Sequence, residues 1–150
     1  MLVEIYTDTS LRGLKSKRAE YAAIVVARRE NRTDQRTVVA DEKDTTYHRA
    51  SLLAVLAGLK ILNRACDNVV VHSPDTFLVN MVNTRKIEEW KREEWKRSQN
   101  KDVMHKELWQ QLEEAIGKHK ISFVNTKRSE KTEELHKLME EYRKENRDVR

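Results

Sequence analysis

The sequence predicts an α/β domain in which an antiparallel meander of three strands is followed by alternating helices and two further strands. Three apolar runs of strand length come first, at residues 2–6, 21–27 and 37–40, the last two separated by a short polar stretch. The segment 50–62 is then apolar nearly all round, so it reads as a helix buried against the sheet. Short apolar runs at 69–71 and 121–124 supply two more strands, with helical spacing between and after them.

A chain of 150 residues is the usual size of one domain with a core of its own. We expect a single domain over 1–142 and a frayed, charged tail over 143–150. With 37% charged residues the surface carries both signs densely, and the net charge of +5 is a moderate basic excess, compatible with nucleic acid or another acidic partner. The single cysteine, Cys66, excludes an internal disulfide and reads as inert. No apolar run is long enough for a signal peptide or a membrane span, so the expectation is a soluble, cytoplasmic protein without a membrane partner.

Residues 2–6 combine branched and aromatic side chains and lead into Thr7-Asp8-Thr9-Ser10, a carboxylate among hydroxyls at a strand end. Sites in open α/β sheets cluster there. An Asp at a strand end is also a common turn former. Residues 11–18 hold four cations, Arg12, Lys15, Lys17 and Arg18, and no anion, and read as a loop. After the strand at 69–71, the only proline of the chain stops the run within His72-Ser73-Pro74-Asp75. Phe77, Leu78, Met81 and Val82 then fit one face of a second helix.

Residues 88–97 repeat Glu-Glu-Trp-Lys-Arg in tandem, with Trp90 and Trp95 five residues apart. At helical pitch the two indoles stand about 140° apart, so a bent helix or a helix-to-loop extension fits better than one straight amphipathic helix. Leu108, Trp109, Leu112, Ala115 and Ile116 define a third helix, closed by Gly117 as its C-cap. Leu135, Leu138, Met139 and Tyr142, at spacing i, i+3, i+4, i+7, define the last.

Three segments in this order resemble ribonuclease H of the bacterial type with a basic extension. They are Thr7-Asp8-Thr9-Ser10, then Thr46-Tyr47-His48-Arg49-Ala50-Ser51-Leu52-Leu53-Ala54, and finally Trp90-Lys91-Arg92 through Trp95-Lys96 and Asp102-Val103 to Glu107-Leu108-Trp109-Gln110-Gln111-Leu112. The resemblance covers nearly the whole chain. It implies a ribonuclease H-like, five-stranded mixed sheet, a three-stranded antiparallel meander plus two parallel strands, flanked by helices. It also implies cleavage of the RNA strand of an RNA–DNA hybrid by two metal ions on four carboxylates.

The departures lie at the carboxylates. Asp8 matches the first. Ser51 stands where the family has its helix glutamate, and serine is a poor substitute for an anionic Mg²⁺ ligand. For the third, aligning Phe77, Val79 and Val82 with the family's apolar helix positions points to Pro74, whereas counting back from Trp90 points to Asp75; Pro74 is favoured, since a core pattern constrains a helix more tightly than loop length does. At the fourth, His136 replaces the carboxylate within residues 132–139. Tyr47 and His48 stand in place of the asparagine pair that touches the hybrid in the family, and the loop at 127–131 is shortened.

Asp8, His136 and Asp75 could together suit Zn²⁺ or Mn²⁺. The plainer reading makes His136 a partly exposed helix residue near Asp8. Trp90, Lys91, Trp95 and Lys96 interleave aromatics with cations, as nucleic-acid contacts do. Glu88, Glu89, Glu93 and Glu94 cancel that charge locally, however, which favours a salt-bridged, core-anchoring segment. Arg12, Lys15, Lys17 and Arg18 are the better electrostatic candidate for nucleic acid.

The expectation is a catalytically degenerate domain acting as an interaction or scaffolding module, with an unidentified protein partner, weak affinity for nucleic acid (an RNA–DNA hybrid or another form) and no cofactor. The alternative is an active metal-dependent nuclease with rearranged ligands, Asp8, Asp75 and either His136 or Glu133/Glu134, which would require Mg or Mn.

Overall fold

The computed structural model describes residues 1–146. Its main sheet has five strands in the order β3-β2-β1-β4-β7, formed by β1 (Leu2–Thr9), β2 (Lys15–Arg28), β3 (Thr33–Thr46), β4 (Val69–Ser73) and β7 (Ile121–Asn125). β1 pairs antiparallel with β2 and parallel with β4, and β4 pairs parallel with β7. The mixed sheet is the one expected, with its meander and its two parallel strands. The helices are α1 (Tyr47–Lys60), α2 (Thr76–Asn83), α3 (Lys86–Arg92), α4 (Lys106–Lys118) and α5 (Thr132–Glu145).

The alternation of β1 divides the core in two. Val3 and Ile5 join Leu52, Val55 and Leu56 of α1, with Leu108 and Leu112 of α4, on one face. Tyr6 faces the other way and packs with Ala22, Ile24 and Val26 of β2 against Leu135 and Met139 of α5. α1 is apolar nearly all round because it lies between sheet and α4, as the sequence predicts. Its approach is close: a Cβ on Gly58 would stand 2.5 Å from Ile5 Cγ2 and 3.1 Å from Ala23 Cβ. Thr46 caps the helix by accepting the Arg49 N–H at 3.3 Å.

Several boundaries differ from the expectation. Residues 15–18 are strand rather than loop, with Lys15 opposite Thr46 and Arg18 opposite Lys43. The outer half of this ladder is solvated and polar, so its hydrogen bonds form without the apolar alternation that announces a strand. α4 continues through Gly117 to Lys118 and is capped at His119, whose N–H donates to Ala115 O. Gly117 keeps a negative φ, so it is not a left-handed cap. In α2 the buried residues are Leu78 and Val79, while Phe77 is 43% exposed. α5 runs on through Glu145 and includes Arg143, where the tail was expected to begin. The remainder of that tail, residues 147–150, lies outside the described residues.

The Trp repeat bends as expected. α3 stops at Arg92, Glu94 and Trp95 take positive φ, and the chain turns into a two-stranded ribbon of β5 (Lys96–Arg97) and β6 (Lys101–Asp102). Among the described residues no helix is long and apolar enough to cross a membrane.

Candidate functional site

Parallel pairing of Ile5 with Val71 and of Tyr6 with His72 brings the C-terminal ends of β1 and β4 to the same edge of the sheet. Asp8 sits on one end, Asp75 just past the other, and the first turn of α1 and α5 flank them. This is where side chains from separate elements converge in an α/β sheet.

Asp8 Oδ1 accepts the Thr9 N–H at 2.8 Å, and its Oδ2 lies 2.9 Å from His136 Nε2 on α5. The Arg12 guanidinium reaches the same Nε2 at 3.2 Å and donates to the Thr9 and Leu11 carbonyls at 2.7 and 3.2 Å. One ring nitrogen cannot serve both neighbours: protonated, it donates to Asp8; bare, it accepts from Arg12.

Asp75 is 1% exposed and bonded at both oxygens. Oδ1 accepts the Leu78 N–H at 3.1 Å, capping α2, and Oδ2 lies 2.7 Å from His48 Nδ1 on α1. Apolar spacing favours Pro74 for the third position, but the carboxylate at this edge belongs to Asp75. Pro74 contributes its carbonyl, which accepts from Lys127 Nζ. Ser51 is buried, and its hydroxyl has no hydrogen-bond partner among the described residues. The Tyr47 phenol belongs to the residue one helical turn before it on α1. Burial first, then the charges of Asp75 and Asp8, push that phenol up, against the opposing pull of Ser51 and Arg12.

The rings beside this pair are contiguous. His48 packs on Phe77 with centroids 4.6 Å apart and meets Tyr47 edge-on at 5.7 Å. Sequence reasoning noticed Tyr47 and His48 only as replacements and missed the part that Phe77 plays. Glu133 and Glu134, within a turn of His136 on α5, are ion-paired to Arg128 and Lys131. Among the described residues no group of three or more His, Cys, Asp or Glu side chains is gathered as a metal site.

The four cations of 12–18 separate into two kinds. Arg18 is paired with Asp41 at 2.9 Å, so the stretch is not wholly uncompensated. Lys15 and Lys17 are exposed and, with Lys43 opposite on β3, have no ion pair among the described residues. They line a groove of about 690 Å³ that continues past Arg12 to Arg143. In the Trp repeat, Trp90 packs against Trp109 at 5.1 Å and both Trp90 and Trp95 lie on the main core. Lys91 and Lys96 are paired with Glu113 and Asp102. This geometry favours the core-anchoring reading of that segment.

On the other face of the sheet sits a polar network the sequence did not announce. Glu4 receives the Arg28 guanidinium at 2.9 Å and the Tyr6 hydroxyl at 3.0 Å, and its Oε2 lies 2.9 Å from His72 Nε2. Burial pushes the Glu4 carboxyl up, but the bonds from Arg28, His72 and Tyr6 outweigh it and hold it below its ordinary value.

The family model for RNase H matches residues 2–138. Ribonuclease H of Acetivibrio thermocellus is 32% identical over 125 residues, 83% of this chain and 81% of that protein. Ribonuclease H of Klebsiella pneumoniae is 36% identical over 121 residues, 81% of this chain and 74% of that protein. Among solved structures, LC9-RNase H1, a type 1 RNase H with the type 2 active-site motif, matches with a TM-score of 0.72 at 22% identity, over 91% of this chain and 69% of that one. LC11-RNase H1, solved in complex with an RNA/DNA hybrid, matches at 0.61 and 14% identity, over 93% of this chain and 98% of that one. At these identities the structural likeness is one of fold.

Proposed function

The chain belongs to the ribonuclease H family, and from that premise we propose that it is a member without the family's metal-dependent nuclease chemistry, an interaction module that holds nucleic acid. The observation that carries this reading is that each carboxylate at the strand ends is already engaged by a histidine, Asp8 by His136 and Asp75 by His48.

A pair of divalent ions stabilising the attacking and leaving oxygens of a phosphodiester needs several shared anionic oxygens. Asp75 has both of its oxygens in hydrogen bonds, one of them a helix cap. Ser51 offers a neutral hydroxyl, and His136 adds a nitrogen where an anion would be required. This donor set does not suit two Mg²⁺ ions. What the surface does offer is positive charge, because phosphates can displace counterions along Lys15, Lys17 and Lys43 without any metal.

The test is to titrate a fluorescent RNA–DNA hybrid with the protein at low salt, then incubate it with Mg²⁺ or Mn²⁺. The expected result is a salt-sensitive rise in anisotropy with no cleavage product. Cleavage that disappears in Asp8→Asn would replace this reading with the active nuclease built on Asp8, Asp75 and His136 or Glu133/Glu134. An absence of binding at low salt would transfer the module to a protein partner.

A further inference from the structure

We propose that the ring surface of Phe77, His48 and Tyr47 stacks on an unpaired base, so that the nucleic acid taken by this module is single-stranded or locally opened at the site. The proposal rests on the nucleic-acid reading above and names its substrate class.

Phe77 is 43% exposed in the first turn of α2, although Leu78 and Val79 beside it are buried. The His48 side chain is 42% exposed, and its ring lies 4.6 Å from that of Phe77. Tyr47 extends the surface edge-on. The His48 ring is held from behind by Asp75, itself fixed by the α2 cap, so the platform is ordered before any ligand arrives. A preorganised ring loses little freedom when a base stacks on it.

Cations border this surface on both sides. Lys127 Nζ donates to Thr76 Oγ1 at 2.9 Å, next to Phe77 in sequence. On the other side the Tyr47 N–H donates to Leu14 O at 3.0 Å, and Lys15 stands opposite Thr46, so the exposed lysines of β2 begin where the rings begin. A line of cations running into aromatic faces is the arrangement that binds single strands without sequence preference, phosphates along the charges and bases on the rings. A duplex hides its base faces in the stack and cannot use the rings without first being opened.

The experiment uses a short single-stranded oligonucleotide with one 2-aminopurine, a base whose fluorescence is quenched by stacking, alongside the same sequence as a hybrid and as a DNA duplex. Binding is followed by anisotropy and stacking by 2-aminopurine emission. The expected result is quenching on binding of the single strand, with Phe77→Ala weakening its affinity about 5- to 100-fold and abolishing the quench. Phe77→Trp should restore both, and Phe77→Ala should weaken binding of the intact duplex less than that of the single strand. Phe77 is exposed, so its replacement does not threaten the fold. Single-strand binding that persists in Phe77→Ala with no change in emission would overturn the platform and leave groove binding standing. Failure of all three probes to bind at low salt would overturn the nucleic-acid reading, and the platform with it.

Discussion

His48 Nδ1 lies 2.7 Å from Oδ2 of Asp75, while Oδ1 of the same carboxylate caps α2 through the Leu78 N–H. One buried group thus ties the start of α1 to the start of α2. Asp75→Ala removes a cap and a charge-assisted bond together, and should lower stability by about 2–3 kcal/mol. Asp75→Asn keeps a capping oxygen and should cost about half as much. Urea denaturation of the two variants checks the ordering.

Arg143 of α5 grips the buried Glu20 of β2 with two hydrogen bonds, of 3.0 and 2.8 Å. Half of the arginine side chain faces solvent, which screens the pair. Arg143→Ala still leaves a buried carboxylate without this partner, and we expect a loss of about 2 kcal/mol. Adding Glu20→Gln should recover part of it, and a double-mutant cycle in denaturant measures the coupling.

If Lys15, Lys17 and Lys43 contact phosphates, replacing all three by Ala should reduce the slope of log affinity against log salt by about 2–3. Replacing Lys91 and Lys96, both ion-paired, should leave it unchanged. Anisotropy titrations across a salt series distinguish the two sets, and equal effects would place the phosphate contacts elsewhere.

The Glu4 network gives stability a pH dependence at both ends. Because the folded carboxyl is held below its ordinary value, it contributes stability above the unfolded value of about 4.3, lost as pH falls through the folded one. Glu4→Gln should therefore be most destabilised relative to wild type at neutral pH, with the gap closing below about pH 4. At the alkaline end burial, reinforced by Glu4 and Glu130 and opposed by Arg28, pushes the Tyr6 phenol up to about 12. A raised phenol contributes fully below about pH 10 and less as pH climbs toward its folded value. Thermal melts across pH and the ultraviolet absorbance of phenolate report the two limbs.

A divalent ion bound only by the folded state would raise stability by about 2.7 kcal/mol at a hundred times its Kd. Millimolar Mg²⁺ should instead leave the Tm where NaCl of equal ionic strength leaves it. A domain of this size moves by roughly 2–8 °C per kcal/mol, so occupancy would be visible. A saturable, Mg²⁺-specific rise lost in Asp8→Asn would reveal ligands in the site.

The meander and α1 were legible because burial writes itself into runs of apolar residues, as at Ile24-Val25-Val26 and Leu52-Leu53. The strand character of Lys15 and Lys17 was not, since a ladder on a solvated edge leaves only backbone evidence. Resemblance brought Asp8 and His136 to one place, and they are 2.9 Å apart. The pairing of Asp75 with His48 joins residues 27 apart in the chain, and apolar spacing favoured Pro74 over the Asp75 that loop length indicated. One signal could have tipped it: an Asp three residues before Leu78, immediately ahead of a helix, is an N-cap. The exposure of Phe77 followed from the rotation of α2, which an eight-residue helix with two buried residues leaves underdetermined in sequence.

Gly58 supports the site from a distance. It lies ten residues from His48 along α1, about 15 Å of helix axis, and it lets the helix rest directly on Ile5 and Ala23. The helix behaves as a lever with its fulcrum on the sheet. A methyl group at position 58 would have to lift one end, and the tilt would be felt at the other, where His48 must meet Asp75 within a fraction of an ångström. The fine alignment of a polar pair at the rim is thus set by the thickness of a contact deep in the apolar interior, so a silent-looking substitution in the core could detune the surface while leaving every surface residue in place.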